Sequence, residues 1–326
     1  MASEKYNIVI EGFWNIGKTT FLEHLGNLGY TTIAEKNHLR EIPLPQDTSR
    51  WYIEAHKRNL EAMLGSKEPV AMERSVLSSM VYLYATEKSS SLAESAFQKF
   101  KEMCHSRRCL IVFLYGSPVH AAQEIDGIED PEIRDRYRDP EFIKRYEFFF
   151  RNVLPFTYDL VPFCVNVFDE QGQRKGAERI KEAVDAMLAA ERIAQANAVL
   201  FKNEPSERLF AVLKRNPRKG SFWQTITGGL HPFESLREGV LREISEEVGI
   251  HTEADRLIPS NYHFSYIGSE GYEMNEYVFG YRLGPKDEIR TSDEHTDHEL
   301  LPRDAAIERV KYDGNKRAIE EVSKLD

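Results

Sequence analysis

The chain has 326 residues, more than one domain usually holds, so two domains are expected, each able to bury its own core. Its 53 Asp and Glu against 43 Lys and Arg leave a net charge of -10, which excludes a nonspecific nucleic-acid coat while leaving small anionic substrates open. Cys104, Cys109 and Cys164 are too few and too irregular for a disulfide framework or a zinc site, and no apolar run reaches the roughly 20 residues of a membrane span.

The opening MASEKYNIVIEGF enters a strand-like segment with no signal-peptide core, so a cytoplasmic protein with no membrane and no nucleic-acid partner is expected. Five apolar runs of strand length follow in order: YNIVIE (6 to 11), TTIAE (31 to 35), PVAME (69 to 73), CLIVFLYG (109 to 116) and FCVNVFD (163 to 169). Amphipathic stretches of helical length separate them. This alternation predicts an α/β domain, a mostly parallel sheet with helices on both faces.

Residues 176 to 198, GAERIKEAVDAMLAAERIAQANA, carry helical spacing, and a seam is placed near 195, giving domains 1–195 and 196–326. Beyond it AVLF, RLFAVLKR, WQTITG and YVFGYRL predict a mixed sheet, with LGPKDE as a turn. A terminal helix is expected at AAIERV or NKRAIEEVSKL.

In EGFWNIGKTT, Gly12 and Gly17-Lys18-Thr19 stand at the spacing of a P-loop, after a strand and before the helical run TFLEHLGNL. The mechanism needs that context. Backbone N–H groups around Gly12, Asn15, Gly17 and Thr20 hold phosphate oxygens, Lys18 neutralises the transferring group, and Thr19 reaches Mg²⁺.

Downstream, PVAMERSVLSS resembles the Glu-Arg-Ser motif of deoxynucleoside kinases, relatives of the thymidylate kinases, and the resemblance spans roughly residues 5 to 190. It implies ATP as phosphate donor, Glu35 as general base toward a sugar hydroxyl, Glu73 as a Mg²⁺ ligand, and Arg74 on phosphate or on the base. It also implies a homodimer, an arginine lid from Arg134, Arg136 and Arg138, and a donor-base site at DEQGQRKG (169 to 176). Asn15 replaces the usual inner glycine, Phe13 and Trp14 are bulky for such a loop, and Met80 stands where an arginine is usual.

The segment GGLHPFESLREGVLREISEEVGI (228 to 250) places Glu243, Glu246 and Glu247 at i, i+3 and i+4, beside an apolar stripe of Leu236, Val240, Ile244 and Val248. Like charges at this spacing call for solvent screening or a bridging divalent ion. Gly228, Glu234, Arg242, Glu243, Ile244, Glu246, Glu247, Gly249 and Ile250 match the Nudix box position for position, and residues 196 to 326 resemble the Nudix hydrolases. The resemblance implies an α/β/α sandwich. By it Glu243, Glu246 and Glu247 ligate Mg²⁺, with Mn²⁺ as an alternative, Arg242 orients the glutamates with Glu234 in support, and Gly228 and Gly249 shape the loops.

FWQTITGG, SDEHTDHEL and YDGNKRAIEE look most like the dATP and dihydroneopterin triphosphate pyrophosphohydrolase group, which makes Glu294, in a Glu-His pair, a further metal ligand or base. Lys214 and Arg215 are candidate phosphate contacts. The combined expectation is a bifunctional enzyme acting on nucleosides and nucleotides, with a kinase half phosphorylating a deoxynucleoside and a Nudix half cutting a triphosphate to monophosphate and pyrophosphate. A monophosphate kinase, or a nucleotide sensor regulating the Nudix half, are the alternatives for the first domain.

Overall fold

The computed structural model describes residues 6–14, 16–37, 46–106, 109–116, 130–168, 175–268 and 273–326. The chain forms two compact units, the first built mainly from residues up to Ala190 and the second from Glu191 onward.

The first unit holds a five-stranded sheet of β1 (Asn7–Gly12), β2 (Thr31–Ile33), β3 (Val70–Glu73), β4 (Cys109–Tyr115) and β5 (Phe163–Asn166). Every pairing is parallel and the order is β2-β3-β1-β4-β5. Ile8, Val9 and Ile10 are fully buried, as a strand covered on both faces requires. Since β1 lies between β3 and β4, the strand order reverses beside it, and the carboxyl ends of the strands open a crevice there. Helices α1 (Lys18–Asn27), α2 (Thr48–Gly65), α3 (Val76–Ala85), α4 (Ser91–Ser106), α5 (Pro131–Tyr137), α6 (Pro140–Phe148) and α7 (Ala177–Ala189) accompany the sheet. Two strands stop two or more residues short of the ends of their apolar runs: β2 stops at Ile33, leaving Glu35 beyond its end, and β5 stops at Asn166.

The long helix expected over 176 to 198 ends at Ala189. Residues 194 to 198 instead begin β6 (Ala194–Asn203), which pairs with β9 (Ile226–Leu230) on one side and β11 (Glu273–Arg282) on the other. Alanine favours helix locally, but two ladders of backbone hydrogen bonds outweigh that preference.

The second unit carries a seven-stranded mixed sheet whose main path is β10 (Leu257–Ile267), β11, β6, β7 (Arg208–Arg215) and β12 (His295–Pro302); β8 (Trp223–Gln224) and β9 lie off it. Helix α8 (Leu236–Val248) and helix α10 (Asp313–Ser323) cover opposite faces. Gly228, paired with Ala196, approaches Glu243 of α8, whereas Gly280, paired with Val199, approaches Val322 of α10; Ala196 and Val199 have opposite parity on one strand. Both candidate terminal helices form, the first as α9 (Arg303–Arg309). Val199, Phe210, Val212, Val278, Ile319 and Val322 pack into the core beneath them.

Candidate active sites

Helix α8 starts with a capping box, Ser235 accepting from the Glu238 N–H and Glu238 from the Ser235 N–H, and ends at Gly249 with φ +65°. Its apolar stripe is fully buried, yet the three glutamates differ. Glu243 and Glu247 lie buried beside the stripe, while the Glu246 side chain is 60% exposed. At Gly228 an added Cβ would sit 1.8 Å from the Glu243 carboxyl carbon, so a glycine there makes room for the carboxylate.

Arg242 organises the group. Its Nε and Nη2 donate to the two oxygens of Glu234 at 2.7 and 2.9 Å, Nη2 also reaches Gly229 O at 2.9 Å, and Nη1 donates to Glu243 at 2.7 Å and Glu246 at 3.1 Å. Burial is the largest single influence on Glu234 and opposes its ionisation, but the Arg242 hydrogen bond, the His231 N–H and the Arg242 charge together outweigh it and hold the carboxyl below the usual range. At Glu243 burial wins over Arg242 and the pKa rises.

Glu247 is the least satisfied of the three. Burial, then the neighbouring Glu243, push its pKa to about 8, and its Oε2 has no hydrogen-bond partner among the described residues. His295 Nδ1 lies 3.7 Å from that oxygen. Burial and then Arg215 hold the imidazole pKa at about 4, so this contact joins two groups that both resist charge rather than a formed ion pair.

The helix faces a cleft of about 610 Å³ also lined by Arg215, Lys219, Arg242 and Glu294. Glu294 is ion-paired to Arg215 at 2.5 Å and Lys219 at 2.8 Å, and the Lys219 bond foremost lowers its pKa. Lys214, next to Arg215 on a strand, points to the other side and stands 5.9 Å above the Trp223 ring, so of the two expected phosphate contacts Arg215 alone lines the cleft. Trp223 packs against the core cluster. Lys219 has no motif to mark it beyond the basic turn NPRKG.

Among the described residues no three His, Cys, Asp or Glu side chains already converge as a metal cluster. Arg242 instead neutralises Glu243 and Glu246. The donor set nevertheless suits a hard divalent ion: oxygen ligands only, one of them a buried carboxylate oxygen left without a partner.

In the first unit Gly12 has φ +148°, and a Cβ there would lie 2.3 Å from Leu114 O, so the turn out of β1 requires glycine. Phe13 turns into the core, edge-on to Phe113, and its carbonyl accepts from Lys18 Nζ at 2.8 Å. Burial, then Arg74, lower the Lys18 pKa to about 8. Thr19 Oγ1 lies 3.3 Å from both Glu73 oxygens, Gly17 and Thr20 flank Lys18 and Thr19 at the start of α1, and Asn15 lies outside the described residues.

Arg74 has φ +60° and is buried, with Nε 2.8 Å from Glu35 Oε1 although the N–H does not point along that line. Burial works against its charge; Glu35, Tyr146, Tyr137 and Glu11 together more than restore it. The buried Glu11 carboxylate ties down the next turn, accepting from Ser75 N and Oγ at 2.8 and 2.7 Å and from Ser78 Oγ at 2.5 Å. Glu35 and Arg74 open onto a cavity of about 120 Å³ lined also by Trp14, Tyr52, His56 and Arg136.

The expected arginine lid is not brought together. On helix α5 Arg136 lines the cavity while Arg134 has a buried Nε, because residues two apart on a helix face opposite ways, and Arg138, just past the helix, pairs with Asp135 at the surface. His56 was not marked by any motif; it is buried, bonds Ser79 Oγ through Nδ1 at 3.0 Å, and is held neutral by burial and then Arg74. Most of DEQGQRKG, 169 to 174, lies outside the described residues.

The carboxylate helix, its glycine-bounded loops and the mixed sheet are those of a Nudix domain, and residues 192–322 match the family model of the NUDIX domain. Among solved structures, the dihydroneopterin triphosphate pyrophosphohydrolase of E. coli is 24% identical, with 41% of this chain and 96% of that chain covered and a TM-score of 0.36. The Ap4A hydrolase of C. elegans is 19% identical, with 40% and 94% covered and a TM-score of 0.35. A curated relative, the octanoyltransferase of Myxococcus xanthus, is 28% identical over 125 residues, 37% of this chain. The chain spans 34% of that relative's length.

Proposed function

We propose that the second unit hydrolyses a (deoxy)nucleoside triphosphate to the monophosphate and pyrophosphate in the presence of Mg²⁺. The observation that carries this reading is Glu247: a buried carboxylate with an oxygen left unpartnered, on the helix that also bears Glu243 and Glu246, beside a cleft holding Arg215 and Lys219. A helix face serving only solubility does not strand a buried carboxylate oxygen.

Glu243, Glu246 and Glu247 would hold the ion. When bound, such an ion neutralises phosphate charge and lowers the pKa of an attacking water. Arg242 keeps Glu243 and Glu246 on one flank, Glu234 fixes Arg242, and Arg215 offers positive charge to the phosphate chain. Pyrophosphate release from a panel of dNTPs, NTPs, oxidised dNTPs and dihydroneopterin triphosphate tests this, with Glu247→Gln as control. Release from one substrate that the variant loses supports the reading; no release from any of them removes it.

A second activity is proposed for the first unit, transfer of the ATP γ-phosphate to a deoxynucleoside. What favours it is the Glu35–Arg74 pair facing a cavity, together with Lys18, Thr19 and Glu73, at the carboxyl ends of the parallel strands where strand order reverses. Glu35 would take the proton of the acceptor hydroxyl, Arg74 would align that carboxylate, Lys18 would meet the donor phosphates, and Thr19 and Glu73 would hold Mg²⁺. Both activities would then yield a deoxynucleoside monophosphate. Assays with deoxynucleosides and with their monophosphates separate the two kinase readings. ATP binding without turnover would make this unit a nucleotide sensor instead.

A further inference from the structure

Beside the carboxylate helix the cleft holds a second charged group of different character. Glu294 bridges two cations, with Oε2 2.5 Å from Arg215 Nη1 and Oε1 2.8 Å from Lys219 Nζ. Arg215 ends β7, Lys219 closes the 3₁₀ turn Pro217–Lys219, and Glu294 precedes β12. Their backbones are tied: Asn216 N donates to Glu294 O at 2.8 Å and Asn216 Nδ2 to Asp293 O at 3.2 Å. On the other side Ser292 N donates to Glu247 O at 2.9 Å, at the end of the carboxylate helix.

A carboxylate held between a guanidinium and an ammonium presents the kind of oxygen acceptors a phosphate group presents. Two cations against one carboxylate leave the group net positive, so it still attracts a more highly charged anion. The Glu294 side chain is 44% exposed against 19% for Arg215, so the acid can leave while the arginine stays in place.

We propose that Arg215 and Lys219 form the seat for the terminal, leaving phosphates of the substrate, and that Glu294 occupies this seat until a polyphosphate displaces it. The assignment to a leaving group rests on the hydrolase reading above; the seat itself does not. Displacement trades one carboxylate for a phosphate on the same two cations and frees the Glu294 carboxylate within the cleft that Glu247 lines. The ligand class is a di- or triphosphate chain, free or attached to a nucleoside.

The test is calorimetric titration of the metal-free full chain, in EDTA, with inorganic pyrophosphate. All proteins carry Lys18→Ala, which removes the lysine of the other phosphate loop. Glu294→Gln is expected to bind pyrophosphate about tenfold tighter than the parent, and Lys219→Ala about tenfold weaker, the change that one charge-assisted hydrogen bond makes. Asp293→Asn removes a cleft charge that bridges neither cation and is expected to shift affinity by less than about twofold. Equal tightening by Glu294→Gln and Asp293→Asn overturns the proposal, because general charge relief would then suffice. So does unchanged affinity in Lys219→Ala, or absence of binding in both the parent and Glu294→Gln. If the binding shifts appear but no nucleotide is hydrolysed with Mg²⁺, the seat stands and the hydrolase reading fails.

Discussion

Arg242 grips Glu234 through two parallel hydrogen bonds, 2.7 and 2.9 Å, and shares its remaining nitrogen between Glu243 and Glu246. The fork makes one guanidinium both the anchor of the loop before α8 and the counter-charge for two glutamates on it. Lysine has the charge but not the fork. Arg242→Lys is therefore expected to fold and to lose Mg²⁺-dependent pyrophosphate release by about 10–100-fold, as a lost outer-shell partner does. A Mg²⁺ titration of release, parent against variant, checks this, and matching curves would refute it.

Gly228→Ala would place a methyl 1.8 Å from the Glu243 carboxyl carbon. The far end of a glutamate moves easily, so stability should change little, but Glu243 can no longer stay where it is. The expected outcome is a melting temperature near that of the parent and at least about tenfold weaker apparent Mg²⁺ affinity in the hydrolysis assay. Loss of fold in place of loss of metal affinity would point to a structural role for this glycine.

The Glu247 pKa is raised from the ordinary 4.5 to about 8. Between those values the folded chain binds a proton that the unfolded chain does not. The stabilisation is present in full below pH 4.5 and is lost as pH rises through about 8. In EDTA the unfolding transition of the second unit should move to lower temperature across this window. Glu276, pushed to about 7 chiefly by burial, acts in the same direction. Glu247→Gln should therefore flatten the slope without abolishing it, and Mg²⁺ should restore stability most at the alkaline end. Differential scanning calorimetry between pH 4.5 and 8 decides; a parent and variant with the same slope would remove Glu247 as its source.

Glu35→Gln keeps the shape beside Arg74 and removes the base. If the first unit transfers phosphate, turnover should fall about 100-fold or more while ATP affinity is retained. Arg74→Ala is expected to behave differently, destabilising the unit by about 3 kcal/mol, because Glu35 and the buried Glu11 lose their positive neighbour. Chemical denaturation and ATP titration of the two variants separate these effects. Equal destabilisation by both would make Glu35 a structural partner of Arg74 rather than a base.

Much of both sites was legible because it lies in short continuous segments. The Nudix box fits in 228 to 250, where the 3.6-residue period of one helix puts Glu243, Glu246 and Glu247 on neighbouring positions whatever surrounds it. The strand, glycine turn and helix N-terminus over residues 7 to 27 were legible for the same reason, since they are consecutive. Phe13 and Trp14 looked too bulky for that loop. The fold resolves this by turning Phe13 into the aromatic core and laying Trp14 5.3 Å from the Arg74 guanidinium.

The sequence by itself determined the two-part organisation, the α/β character of each part and the residues whose chemistry depends on local spacing. Only the tertiary structure decided which distant residues meet. Burial and strand register bring Glu294 to Arg215 and Lys219, His295 to Glu247, and Glu35 to Arg74. The same long-range pairing turned AQANA into a strand against its alanine content and sent Lys214 and Arg215 to opposite sides of one. Local propensity is worth tenths of a kcal/mol per residue, whereas a ladder shared by neighbouring strands acts on every residue of the segment at once, and no single segment encodes its partner.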